Sequence, residues 1–130
     1  MNFVSAFTSK VDQLRGRLFL SRLYRSQKVF VYSVRLSVTN GQAVEKYRVC
    51  ILVRADGIIE AESVAETHLQ EIVRACRDSS RGEVELKRFK PRELGASAVD
   101  DESARTLQLL QKLRRESGQV VSTVETIEIN

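Results

Sequence analysis

The sequence predicts one α+β domain, residues 1–130, built on an antiparallel sheet that is ferredoxin-like or a related sandwich. Three observations carry this. Two stretches, 28–38 and 43–55, alternate apolar and other residues around an Asn-Gly pair. Two further stretches, about 59–77 and 101–116, place apolar residues at helical spacing. The tail, 119–129, is rich in β-branched residues.

The first 27 residues read as an N-terminal helix. Val4, Phe7, Val11, Leu14 and Leu18 make one apolar stripe. Arg22 and Arg25 fall on its extension, while Phe19, Leu20, Leu23 and Tyr24 face another way. This predicts a kink near Gly16 or a short extended piece over 18–24.

Residues 28–90 read as a ββαβ core. Phe30, Tyr32, Val34, Leu36 and Val38 alternate, and so do Tyr47, Val49, Ile51 and Val53. Asn-Gly is the preferred two-residue hairpin turn, because both residues tolerate φ > 0. With Asn40-Gly41 at the turn centre, Val34 faces Tyr47, Tyr32 faces Val49 and Phe30 faces Ile51. The apolar sets then share one face, which a one-residue slip would destroy. After Asp56-Gly57, Ala61, Ala65, Leu69, Ile72 and Cys76 line one side of a helix. Glu60, Glu66 and Glu71 lie away from it. Ser79–Gly82 breaks the chain, and 83–89 reads as a strand bounded by Pro91 and Gly95.

Residues 100–130 read as a helix capped by Asp100 or Asp101, then a strand. Leu107, Leu110 and Leu113 pack this helix, with Leu109 nearer its flank. Gly118 is a C-terminal cap. The order is α-β-β-α-β-α-β, and its first five elements equal a βαββαβ unit without its first strand. The last strand either fills that gap in its own chain or adds to the edge of a second copy.

Composition is that of a globular protein, with 42% apolar and 29% charged residues. No apolar run approaches the roughly 18–20 residues that span a bilayer, and no signal peptide is evident at the N-terminus. Cys50 and Cys76 make no disulfide framework, which points to the cytoplasm with reduced thiols and no membrane partner.

No catalytic residues, metal ligands or cofactor are assigned. The single histidine, His68, borders the apolar face of its helix and has no partner visible in sequence. The spacing motifs of zinc sites, phosphate loops, nucleophile elbows and dinucleotide folds are absent. An enzyme built from scattered acids and arginines would need a deep pocket holding titratable groups with shifted pKa values.

Charge is the uneven feature. Residues 1–54 hold ten Lys/Arg and two acids, a net of +8, whereas 55–130 carry −4. On the hairpin's outer face the predicted register sets Arg35 opposite Lys46 and Ser33 opposite Arg48. Like charges directly opposite destabilise a sheet unless something offsets them. Farther from the turn, Val29, Val31, Cys50 and Leu52 make that face apolar, so another element or subunit is expected to cover it. A second cluster, Lys87-Arg88-Phe89-Lys90-Pro91-Arg92, sets an aromatic among cations, the combination that suits single-stranded nucleic acid. A third set is Arg15, Arg17, Arg22, Arg25 and Lys28. For each, the plain alternative is a solvated surface.

Two readings follow. One is a non-enzymatic, DNA- or RNA-binding accessory protein, oligomeric, contacting nucleic acid through Arg35, Lys46, Arg48, Lys87, Arg88, Lys90 and Arg92. The other is a structural or adaptor subunit, a homo-oligomer or protein-bound. It would be joined by basic–acidic contacts and by addition of the C-terminal strand to a neighbour.

Overall fold

In the computed structural model, which describes residues 13–19, 27–80, 82–95, 104–116 and 118–129, the two alternating stretches form β1 (Lys28–Asn40) and β2 (Ala43–Ala55). Gly41 and Gln42 make the turn. Gly41, the first central residue, has φ of 66°, which the primed hairpin turns require there and only glycine adopts freely. The register therefore lies two residues from the one predicted. Val34 pairs with Val49, Tyr32 with Ile51, Ser33 with Cys50, Arg35 with Arg48 and Ser37 with Lys46. A two-residue slip leaves every side chain on its predicted face, so alternation cannot distinguish the two registers.

The strand after helix α2 (Ile58–Ser80) is split into β3 (Glu83–Arg88) and β4 (Arg92–Leu94), both on the outer edge of β1. β5 (Val120–Ile129) takes the outer edge of β2, so the order is β3-β1-β2-β5, all antiparallel. The last strand thus joins its own chain's sheet. Gly82 leads into β3 so close to β1 that a Cβ there would collide with the Thr39 carbonyl oxygen.

Between β3 and β4 the pairing slips. Val34 meets Arg88 and Val31 meets Arg92, so three steps along β1 match four along its neighbour. This is a bulge. The Phe89 N–H still donates to the Ser33 carbonyl at 3.0 Å, and Pro91, which has no N–H to offer, sits in the break. The slip inverts side-chain parity. Val84 and Leu86 point to one face of the sheet, Leu94 to the other.

Two cores result, one per face. α2 buries Ala61, Ala65, Leu69 and Val73 against Phe30, Tyr32, Val34, Leu36, Val38, Val49, Ile51 and Val53. Small residues in the first turns of α2 let it lie close to the sheet. Its start is tied down by the Glu60 carboxylate, which accepts from the Asp56 N–H at 3.0 Å. Helix α3 (Ala104–Glu116) packs Leu107, Leu109, Leu110 and Leu113 on Val29, Val31, Cys50, Leu52, Leu94 and Val121. The predicted cover for the apolar end of the hairpin's outer face is therefore α3. Leu109, placed on the flank by spacing, is buried within the same core, on which Phe19 also packs. The layers are α2, sheet, α3. The helices sit on opposite faces, not together on one, so the arrangement is the related sandwich.

Residues 13–19 are helical (α1), and the helix continues through Gly16. Leu14 and Leu18, from the predicted stripe, are 56% and 53% exposed. Phe19, assigned to another side, packs on the α3 core. The rest of that stripe, the set Leu20–Arg25 and the Asp100/Asp101 cap lie outside the described residues.

Candidate functional site

α3 covers only part of its face of the sheet. Along β1 the residues on that face run Val29, Val31, Ser33, Arg35, Ser37; the first two are buried, Ser33 and Ser37 half-buried and Arg35 exposed. Pairing across the strands sets Lys87 beside Arg35, Arg35 beside Arg48 and Arg48 beside Glu125. Three adjacent strands thus present three exposed cations in one row. Their Cβ atoms are spaced about 4.5–5.5 Å apart between neighbours. Glu125, at the row's end, is held by the guanidinium of Arg105 from α3. Among the described residues no acid is ion-paired with Arg35, Arg48 or Lys87.

One row nearer the turn stand Glu85, Ser37 and Lys46. An open depression of about 280 Å³ is lined there by Arg35, Ser37, Lys46, Glu85 and Lys87. One row the other way is Phe89. Its ring centroid lies 5.8 Å from the Arg35 guanidinium carbon and 5.5 Å from the Lys87 ammonium, and the residue is 39% exposed.

Of the seven candidate residues, Arg35, Lys46, Arg48 and Lys87 share this face. Arg88 does not. It points to the α2 face, where it bonds both oxygens of Glu66, Nη2 at 2.5 Å and Nε at 3.1 Å. The Tyr32 hydroxyl donates to the same carboxylate at 3.3 Å. The Arg88 bonds hold the Glu66 carboxyl below its ordinary pKa. Burial, then Glu66, pushes the Tyr32 phenol up. Glu66 was expected to lie away from the packed side; it sits at that side's margin, recruited by Arg88. Lys90 lies in the bulge, lining with Tyr32, Glu66, Arg88 and Ile59 an open groove of about 580 Å³. Arg92 stands beside Val31 on the α3 side.

Phe30, Tyr32 and Tyr47, the aromatics of the hairpin, face α2 as expected; Phe30 and Tyr32 are buried and Tyr47 is half-buried.

Sequence reasoning missed the partners of His68. Its Nε2 lies 2.7 Å from the Ser122 hydroxyl of β5, and its Nδ1 lies 3.9 Å from the Glu71 carboxylate. The pair links α2 to the edge strand across 54 residues, a separation that no local pattern encodes. Among the described residues no group of three potential metal ligands comes together, and no helix is long and apolar enough to cross a membrane.

Comparison with protein-family models, with curated proteins and with solved structures finds no match to this chain.

Proposed function

We propose that the protein is a non-enzymatic nucleic-acid-binding accessory protein, acting through the uncovered half of the α3 face. The observation that carries this reading is the row Lys87–Arg35–Arg48. Three like charges on neighbouring strands oppose folding unless an anion offsets them. Regularly spaced phosphates supply that offset, and the shared face of Lys46 extends the row toward the turn. Arg88 leaves the interface, since its charge is satisfied by Glu66. Lys90 and Arg92 flank it at the bulge.

Binding should be dominated by phosphate contacts, and therefore salt-sensitive. Fluorescence anisotropy with labelled DNA and RNA at about 50 and 200 mM salt reads this directly. The wild type should bind at the lower salt and lose affinity steeply at the higher. The variant Arg35→Thr/Arg48→Thr/Lys87→Thr should bind far more weakly at both. No binding by the wild type at low salt would overturn the reading.

A cytoplasmic location belongs to this reading. Its support is that Cys50 and Cys76 pack on opposite faces of the sheet, where they make no disulfide with each other.

One observation favours the adaptor reading. β5 is a ten-residue edge strand with no Lys, Arg or Pro, and Val124 and Ile127 are 45% and 44% exposed on it. Natural edges carry such residues to prevent pairing with other chains. Because β5 is already paired with β2, the addition would be edge to edge, not the exchange of a tail. Val124→Lys tests its homo-oligomeric form: a self-associating wild type should become monomeric in sedimentation equilibrium, and a monomeric wild type would sink strand addition between copies.

A further inference from the structure

Resting on the nucleic-acid reading, we infer that the strand bound is single, with one of its bases stacked on the ring of Phe89. Phe89 belongs to neither core, yet it is not loose. Its backbone N–H is anchored to Ser33, and the bulge begins immediately after it, fixing the side on which the ring stands. Arg35 and Lys87 approach the ring from the adjacent row, within the range of cation–π attraction. A large apolar ring is therefore held at a sheet surface, next to two cations that are ion-paired with no acid among the described residues.

That combination selects for an unpaired base. In a duplex the base faces are covered by their neighbours, and a ring reaches them only by prising a base step apart, at the cost of unstacking it. In a single strand the faces are available, and an aromatic ring pre-positioned on a β-sheet loses little freedom on stacking. The geometry also orders the contacts. With a base on Phe89, the backbone beside it meets Lys87 and Arg35 one row away, and continues toward the depression lined by Ser37 and Lys46. Phosphate attraction and base stacking thus come from different side chains and can be removed separately.

The test compares the wild type and Phe89→Leu on labelled oligothymidylate, oligouridylate and a duplex, each about 12 nucleotides long, a length suited to one small domain. Phe89→Leu should weaken binding to the single strands by roughly five- to a hundred-fold, the worth of one stacked base. Duplex binding should stay unchanged. The two single-stranded arms tell RNA from DNA. Equal losses on single strand and duplex, or no loss on either, overturn the stacking inference and leave the phosphate reading standing. Failure of the wild type to bind any of the three overturns both. The chain contains no tryptophan, so Phe89→Trp supplies a second, independent signal. Its emission should be quenched at saturating oligothymidylate, and unquenched emission at saturation would contradict a base on that ring.

Discussion

The residues of β1 that face α2 are apolar from Phe30 to Val38, whereas those facing α3 change from Val29 and Val31 to Ser33, Arg35 and Ser37. The same strand thus builds a continuous core on one side and half a core on the other. On the α2 side every residue of β1 from Phe30 to Val38 is buried. On the α3 side the cover stops at the row of Cys50, and the rows beyond it carry charge. Where packing determines the residue, the sheet is Val, Leu and Ile. Where it does not, the chain places like charges on neighbouring strands, a choice that stability does not explain. The contrast between the covered and uncovered parts is the strongest argument for an anionic ligand.

Truncating the covered parts should have the largest effect. Leu69→Ala under α2 and Leu110→Ala in α3 remove fully buried side chains, and each should cost about 2–5 kcal/mol in urea unfolding. Similar losses at both positions would establish that the α3 half-core is as integral as the α2 core. A loss below about 1 kcal/mol at Leu110 would mean that α3 is only loosely held.

On the uncovered part the sign should reverse. Arg48→Thr removes a charge opposite Arg35 and installs a β-branched residue, so stability at low salt should rise by about 0.2–1 kcal/mol. The gain should shrink as salt screens the pair.

The smallest effect concerns Glu66 and Arg88, at the margin of the covered face. The folded-state pKa of Glu66 is lowered, so the pair contributes stability above the ordinary glutamate value and loses it as pH falls through the lowered one. Both side chains are more than a third exposed, which limits the contribution to about 0.2–1 kcal/mol. Urea midpoints of the wild type and Arg88→Gln between about pH 3 and 6 should differ at the upper end and converge at the lower. A constant difference would assign the role of Arg88 to packing.

Much of this division was legible in the sequence. Alternation gave both faces of the hairpin, and the spacing of Ala61, Ala65 and Leu69 gave the side of α2 that packs. The polar change at Ser33 marked the end of the second core before its cover was known. Register was less legible, since a two-residue slip preserves parity; it is Gly41's positive φ that decides it. The bulge was hidden because 83–89 reads as a strand that stops before Pro91, whereas the chain resumes pairing with β1 at Arg92–Leu94. Without it, Leu94 would point away from α3 and the fate of Arg88, Lys90 and Arg92 could not be told apart. The Arg88–Glu66–Tyr32 and His68–Ser122 contacts join distant segments, so only the folded chain shows them.

The most direct test of the central claim takes one variant, Arg35→Thr/Arg48→Thr/Lys87→Thr, through two readouts: urea unfolding and anisotropy with single-stranded nucleic acid at about 50 mM salt. If these cations are kept for a ligand, stability should stay within about 1 kcal/mol of the wild type, the range expected of exposed charges, while binding is lost. A variant that unfolds more readily by several kcal/mol, or that binds as the wild type does, would contradict the claim and return these residues to the fold.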